Sequence, residues 1–269
     1  MHSGVLTEAK IQGPFQKDMT IAPLPEHPSE YHEYLVWDAP TRWFHWINAL
    51  AVLGLIATGL VILTDNQLGL SAEGKIALKR VHVSFGYVMA VNLLWRFVWA
   101  FFGNRYARWR AILPGGTGFA AAVRAYVASF LSGEPQQHVG HNPLARIGVS
   151  LLFLLMLIQV VTGLILAGTD LFWPPFGSMF AEWVAAPGIE PSTVRPGASE
   201  LMDQMAYQAM RDFRGPFVEV HEIIFYTLAA AVVLHLIAVV VTEIHEGGSI
   251  TSAMFTGRKI LDRRPPDAP

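Results

Sequence analysis

Residues 217–242, FVEVHEIIFYTLAAAVVLHLIAVVVT, form a stretch that is apolar for long enough to cross a lipid bilayer and still contains two histidines, His221 and His235. At about 1.5 Å per residue, a helix of this length is about 39 Å long. The spacing of the histidines places them about 21 Å apart along the helix axis and near the same face. Ionisable groups inside membrane helices are rare and usually functional. We therefore expect a bound metal at each imidazole, one towards each membrane surface.

The composition predicts a polytopic membrane protein, because 52% of the 269 residues are hydrophobic and only 15% are charged. The formal net charge of -2 gives no basic bias, so we expect no nucleic-acid partner. Cysteine is absent, which excludes thiolate iron–sulfur clusters, disulfides, covalently attached c-type heme and cysteine zinc sites. A metal must therefore be held by His, Met or carboxylate. The N-terminus has no apolar signal-peptide core, so we expect the first membrane helix to act as the insertion signal.

The predicted fold class is an all-α membrane protein, a bundle of four transmembrane helices. The expected spans are about residues 43–63, 81–102, 147–167 and 217–242, within a domain covering 37–259. The third span has no histidine and only Gln159 as a sizeable polar group, so it is interpreted as a packing helix. Four segments remain. Residues 1–36 form a proline-containing tail, which is either extended along the membrane surface or disordered, and residues 103–146 form a basic loop with a weak amphipathic helix. Residues 168–216 form a long acidic insertion, and residues 260–269 form a short basic tail.

Charge predicts the orientation of these segments. The loop at 103–146 has five arginines against one acidic residue, and the chain after the fourth span is also basic. By the positive-inside rule, this loop and both termini are cytoplasmic, and the insertion at 168–216 is periplasmic. We expect a multi-pass protein of the bacterial inner membrane.

This orientation assigns depths to four histidines. His45 and His235 fall near the cytoplasmic side, whereas His82 and His221 fall near the outer side. Two imidazole pairs at two depths suit two hemes, whose iron takes two axial ligands on opposite faces of the ring. Tetrahedral zinc would need its four ligands at one point. The alternative is that each histidine is a satisfied polar group within the bundle.

Glycines near these histidines are candidates for close approach of a flat ring. Gly86 lies four residues after His82, on the same helix face, and we favour a heme-linked role for it. Gly54 and Gly59 in the first span are better interpreted as small residues in helix packing.

Three arginines each have two possible roles. Arg42 and Arg80 are near His45 and His82, where they either meet heme propionates or anchor the helices at the membrane surface. Arg96, near the end of the second span, either extends to the headgroups or neutralises a buried anion.

Four motifs carry a family resemblance: VWDAPTRWFHW, RVHVSFGYVMAVNLLWRFVWAFFGNRYARW, GHNPLAR and SAMFTGRK. They resemble the b-type cytochrome subunit of membrane-bound nickel-iron hydrogenases, within the wider bacterial cytochrome b561 group, and the similarity extends from about residue 36 to 259. The resemblance implies a four-helix subunit that holds two b hemes by bis-histidine ligation and exchanges electrons with membrane quinone. Its histidine pattern carries over onto His45, His82, His221 and His235.

The resemblance also implies a quinone near the cytoplasmic heme, beside the start of the third span. His141 and Asn142 are the candidates there, although a solvated loop is the simpler reading of His138 and His141. Hydrogenase-type members can have a further histidine where this chain has Val218, and the segment 171–216 has no match in those subunits. We expect this segment to dock a periplasmic redox protein, either a hydrogenase or dehydrogenase small subunit or a c-type cytochrome.

The sequence thus predicts an electron-transfer subunit of a membrane oxidoreductase complex. It would relay electrons through two heme b groups between a periplasmic redox partner and the quinone pool. One alternative is a quinol-oxidising cytochrome b that passes electrons to a periplasmic c-type cytochrome. Another is a non-redox transporter or scaffold whose histidines relay protons.

Overall fold

The computed structural model describes residues 31–247 and 249–269. Residues 1–30 of the tail predicted at 1–36 therefore lie outside the described residues. Its last part is structured, because the strand β1 (His32–Leu35) pairs with a strand near the C-terminus.

In the part of the chain that the structure describes, four helices are long and apolar enough to span a membrane, which confirms the predicted fold class. They are α1 (Ala39–Leu63), α2 (Ala72–Phe102), α5 (Pro143–Leu171) and α7 (Gln204–Glu246). Each helix contains a predicted span and extends beyond it. The insertion predicted at 168–216 is therefore shorter, since its first four residues belong to α5 and residues 204–216 belong to α7.

Side-chain caps begin all four helices. Asp38 accepts from the amide of Thr41, and Asn142 accepts from that of Ala145. Ser71 and Asp203 cap α2 and α7 in the same way. These oxygens satisfy amides that have no partner within the helix, so the polar sequence before each span fixes where the helix starts.

The bundle packs α1 against α2 and α5 against α7, with α2 also contacting α5. Its core includes Phe44, Leu93, Phe153, Met156 and Leu228. Large apolar side chains face outwards along all four helices, as expected for surfaces in contact with lipid.

One end of the bundle, here named the sheet end, is built from segments distant in sequence. The strands β1 and β2 (Arg258–Leu261) pair antiparallel, with Leu35 opposite Arg258. Three short helices also lie in this part of the chain, α3 (Trp109–Ile112), α4 (Phe119–Leu131) and α8 (Ile250–Thr256). A small core holds the sheet end together: Val36, Trp37, Tyr106, Val139, Ala253 and Leu261.

The opposite end, here named the α6 end, contains the segment between α5 and α7. The helix α6 (Gly177–Val184) buries Phe180 and Val184 against residues of that segment and of α7. Two single 3-10 turns at Pro191–Thr193 and Ser199–Leu201 lead into α7. The predicted insertion thus has a hydrophobic core of its own.

Candidate functional site

His82 of α2 and His221 of α7 face each other inside the bundle. Their ring centroids are 6.4 Å apart, and the ring planes are inclined at 74°. Metal–imidazole bonds are about 2 Å long, so two imidazoles on opposite sides of one metal have ring centres about 6 Å apart. The two rings therefore have the separation that one shared metal between them requires.

The hydrogen bonds of Thr58 fix the tautomer of His82. The Thr58 hydroxyl lies 2.8 Å from Nδ1 of His82 and donates its proton to the carbonyl of Gly54, 2.7 Å away. The hydroxyl can therefore only accept from Nδ1, which must bear the ring proton. The lone pair of His82 is then on Nε2, which is the form that binds a metal.

The hydroxyl of Thr162, on α5, fixes the tautomer of His221 in the same way. Its hydroxyl lies 2.8 Å from Nδ1 of His221 and donates to the carbonyl of Ile158 at 2.8 Å. The amide nitrogen of Gln159 lies 3.1 Å from Nε2 of His221, where it donates to the lone pair. The interpretation of the third span as a packing helix is therefore incomplete, because two of its polar groups position a candidate ligand.

Each threonine is followed by a glycine that makes room for the imidazole it holds. A Cβ atom added to Gly163 would lie 3.2 Å from Cε1 of His221, and one added to Gly59 would lie 3.5 Å from Cε1 of His82. Gly59 thus contacts a candidate ligand in addition to any role in helix packing. Gly54 packs against Phe85, which a Cβ would approach to 2.8 Å.

A largely apolar cavity of about 240 Å³ lies between the helices and is lined by both histidines. Gly86 is part of its wall, and a Cβ at this position would meet no atom within 4 Å. The slot between two imidazoles with unprotonated Nε2 atoms, and with glycines on its walls, fits a flat metal-bearing ring. A metal at Nε2 of His221 would take the place of the hydrogen bond from Gln159.

His45 and His235 form the second candidate pair, nearer the sheet end. The two side chains are close enough to interact electrostatically. Nδ1 of His45 is buried and has no hydrogen-bond partner among the described residues, and the ring packs edge-on against Trp46 with centroids 5.2 Å apart. A buried imidazole without a partner fits a metal ligand as well.

The arginines selected from sequence lie in three different environments. Arg42 donates to the carbonyl of Phe255 at 3.0 Å, so it ties α1 to α8. Arg96 is 3% exposed and lies 5.7 Å from the ring centroids of both Phe44 and Phe153. It does not extend to the headgroups, because its Nη2 donates to a backbone carbonyl, that of Ala107.

Arg80 is exposed on α2 and does not line the cavity. The cations that do line it are Lys79 and Arg214, which sequence reasoning missed. The spacing of these two cations from the histidines is a sequence signal that predicts their position. Lys79 is three residues before His82 and Arg214 is seven before His221, and both intervals return to the same helix face.

His141 and Asn142 lie at the start of α5. Both ends of the Asn142 amide are used, since Oδ1 caps the helix and Nδ2 donates to the hydroxyl of Tyr126. The His141 ring packs against Trp37 at a tilt of 53° with centroids 4.8 Å apart, and its buried Nδ1 has no partner among the described residues. Burial is the main reason that the pKa of His141 is lowered to about 3, so the ring is neutral rather than solvated and charged. Nearby positive charges act in the same direction, those of Arg96, Lys259 and Arg146.

The family model described as prokaryotic cytochrome b561 matches residues 36–257. The chain belongs to the prokaryotic cytochrome b561 family. The match contains all four histidines and both threonine–glycine pairs, and it confirms the resemblance drawn from the sequence motifs. This b561 protein is accordingly a membrane b-type cytochrome that transfers electrons, and b-type heme is its cofactor.

Curated relatives of this cytochrome b561 are similar over much of its length. It is 28% identical over 257 residues to a probable Ni/Fe-hydrogenase B-type cytochrome subunit of Rhizobium leguminosarum bv. viciae, covering 89% of this chain and 94% of that one. A probable Ni/Fe-hydrogenase 1 B-type cytochrome subunit of Escherichia coli K12 is 34% identical over 141 residues, 48% of this chain and 58% of the relative. No solved structure matches the chain significantly.

Proposed function

We propose that this cytochrome b561 is a di-heme relay between a periplasmic redox protein and the membrane quinone pool. One heme b would lie between His82 and His221 and the other between His45 and His235. The facing imidazoles of His82 and His221, with ring centroids 6.4 Å apart and each ring bound at Nδ1 by a threonine hydroxyl, are the observation that carries the proposal. The two histidines of α7 are separated by about 21 Å along the helix, so the sites would lie at different depths.

The protein residues hold and insulate the hemes. Each heme, when bound, would supply one-electron chemistry, with His82 and His221 holding one heme and His45 and His235 the other. Thr58 and Thr162 orient the imidazoles and keep the Nδ1 proton in place, which fixes the ligand tautomer. The apolar walls of the cavity exclude water, so solvent rearranges little when the charge at the site changes.

We propose that the sheet end is cytoplasmic and the α6 end is periplasmic. The support is the positive-inside rule, since the loop at 103–142 and the strand β2 with its following residues are rich in arginine and lysine. This orientation puts both termini in the cytoplasm of a bacterium and the four helices in its inner membrane.

The proposed partner is a hydrogenase or related dehydrogenase small subunit that docks at the α6 end. The names of the similar proteins support this choice. The α6 end also exposes the large apolar side chains of Phe176, Met179 and Trp183. Apolar surface of this kind typically marks contact with protein or lipid.

We place the quinone at the sheet end, beside His141 and Asn142. His141 interacts electrostatically with His235 of the nearer heme site, and its Nδ1 has no hydrogen-bond partner among the described residues. A neutral imidazole can donate one hydrogen bond to a quinone oxygen. Asn142 supports this position indirectly, since its amide is committed to capping α5 and to Tyr126.

A pyridine hemochrome assay on the purified chain tests the proposal. We expect two b hemes per chain, one after His221→Ala and one after His235→Ala. His245→Ala is the matched control, because His245 is an exposed histidine of α7 that lines neither heme site; its Nδ1 bonds the carbonyl of Val241 and its ring stacks on Phe130. One heme in the unaltered chain would refute the di-heme arrangement, and purification with a c-type cytochrome instead of a hydrogenase would refute the proposed partner.

A further inference from the structure

The cavity beside His82 and His221 meets a second, more polar cavity of about 300 Å³ towards the α6 end. Lys79, Asp170 and Arg214 line both cavities and therefore stand at their junction. The second cavity is also lined by Lys75 and Arg211. Basic groups thus dominate the opening of the proposed heme slot.

A single carboxylate holds the two cations at this junction. Nζ of Lys79 lies 2.6 Å from Oδ2 of Asp170, and Nε of Arg214 lies 2.6 Å from Oδ1. The side chain of Asp170 is 17% exposed and that of Arg214 is 22% exposed, so their contact is better shielded from bulk water than that of Lys79, which is 35% exposed. Within residues 31–247 and 249–269, two cations on one carboxylate leave one positive charge without a counterion.

The other charged groups nearby do not remove this excess. Lys75 is paired with Asp65 at 3.2 Å. Arg211 lies over the ring of Tyr207, and no carboxylate of the described chain is within 4 Å of its guanidinium. Glu222 lines the slot, but it follows His221 and is eight residues, about 12 Å along the helix, from Arg214. The junction therefore favours binding of a further anion.

The helix geometry relates these cations to the imidazoles. Lys79 is three residues before His82, about 4.5 Å towards the α6 end, and Arg214 is seven residues before His221, about 10.5 Å in the same direction. Both share a helix face with the histidine that follows them. A flat ring held between the histidines would thus point one edge at the two cations.

We propose that Lys79 and Arg214 bind the propionate carboxylates of the heme held by His82 and His221, and that Asp170 positions both cations. The inference rests on the proposed function. It assigns to Lys79 and Arg214 the propionate contact for which Arg80 is one of the candidates from sequence, with anchoring at the membrane surface as the alternative for Arg80. An anionic lipid headgroup is the other source of a matching anion. Charged pairs of this kind are short and strong, because both partners are ionised.

Redox titration of the b hemes in the purified holoprotein, in uncharged detergent, tests the proposal. A cation beside the propionates favours the reduced heme, so Lys79→Gln and Arg214→Gln should each lower the midpoint potential. We expect about a tenfold change in the reduction equilibrium, equivalent to 59 mV for one electron. Asp170→Asn should shift the same heme in the opposite direction, and Arg80→Gln should leave it unchanged.

The heme at His45 and His235 reports on folding, because its potential should stay constant in all four variants. Loss of only the His82 and His221 heme in Lys79→Gln, with recovery in Lys79→Arg, would also support the site. Equal potentials in Lys79→Gln, Arg214→Gln and Arg80→Gln, with two hemes bound, would overturn it and leave the proposed function intact. Fewer than two hemes in the unaltered chain would overturn both.

Phosphatidylglycerol and phosphatidylcholine vesicles separate the two sources of the anion. A propionate site predicts the same difference between Lys79→Gln and the unaltered protein in both lipids and in detergent. A difference that occurs only with phosphatidylglycerol would assign the cations to a lipid phosphate and overturn the proposal.

Discussion

The orientation of the imidazoles depends on a short repeated sequence. Residues 58–63, TGLVIL, and 162–167, TGLILA, each supply a threonine that binds Nδ1 of a histidine and a glycine that contacts its ring. The two copies lie on α1 and α5 and serve histidines on α2 and α7. The repeat is visible in the sequence, but its meaning depends on which helices are neighbours.

Thr162→Val tests this arrangement at a single hydrogen bond. Valine keeps the shape of the side chain and removes the acceptor, so the His221 imidazole loses its tautomer and orientation control. We expect the heme at His82 and His221 to bind about 10–100-fold more weakly. Heme release to an excess of apomyoglobin, followed by absorbance, measures this.

Thr227→Val is the control for that experiment, because Thr227 is an exposed threonine of α7 that bonds only the carbonyl of Ile223. It should retain heme like the unaltered protein. Equal retention in Thr162→Val would show that the hydroxyl has no part in holding the ligand.

The assignment of cations shows how far sequence reasoning reaches at this scale. Closeness to His82 in the sequence suggests Arg80, but residues two apart lie on different faces of a helix. Lys79, three residues away, faces the cavity instead. The helical period is enough to prefer Lys79 over Arg80. The pairing of Lys79 with Asp170 cannot be predicted in this way, because it depends on how α2 packs against α5.

At the scale of elements, hydrophobicity located all four spans but not their ends. Hydrophobicity predicts that the insertion ends at residue 216 and that the fourth span begins at Phe217. A proline such as Pro216 usually interrupts a helix. The helix α7 nevertheless continues through Pro216, and its total length is 43 residues. Its N-terminal part packs Met210 into the core of the α6 end, and such tertiary contacts outweigh local propensity.

Asp38 provides a test of how α1 is fixed. Its carboxylate accepts from the amide of Thr41, the indole of Trp99 and the amide of Asn104, at 3.0–3.1 Å. Asp38→Ala should lower stability by about 2 kcal/mol, because it removes a helix cap and leaves donors without partners. Thermal unfolding in detergent measures the change, and Ser132→Ala, on an exposed residue, is the control.

The charge of Asp38 adds a pH dependence. Burial would raise the pKa of Asp38, but the hydrogen bonds outweigh it and hold the pKa below its ordinary value. A lowered pKa stabilises the fold above the unfolded pKa of about 3.9, and this contribution is lost as the pH falls through the folded value. Asp38→Asn keeps a good cap without the charge, so its stability deficit should be present at pH 7 and shrink below about pH 4. A deficit independent of pH would contradict this account.

At the scale of the whole chain, the sheet end was beyond sequence reasoning. Its strands are separated by more than two hundred residues, and a four-residue strand gives little periodic signal. The carboxylate of Asp267 accepts from the amides of Val139 and Gly140, so the C-terminal tail is attached to the loop before α5. Local patterns report helices well, but they do not report which distant segments meet.

The orientation of the bundle decides which heme site faces which partner. Because the chain lacks cysteine, a single introduced thiol reports the location of one residue. Ser178 on α6 and Ser132 after α4 are exposed serines at the α6 end and the sheet end. With the sheet end in the cytoplasm, a membrane-impermeant maleimide added to intact spheroplasts should label Ser178→Cys, and should label Ser132→Cys only after lysis. The reverse pattern would place His82 and His221 on the cytoplasmic side, next to the quinone instead of the docking partner, and would exchange the roles proposed for the two hemes.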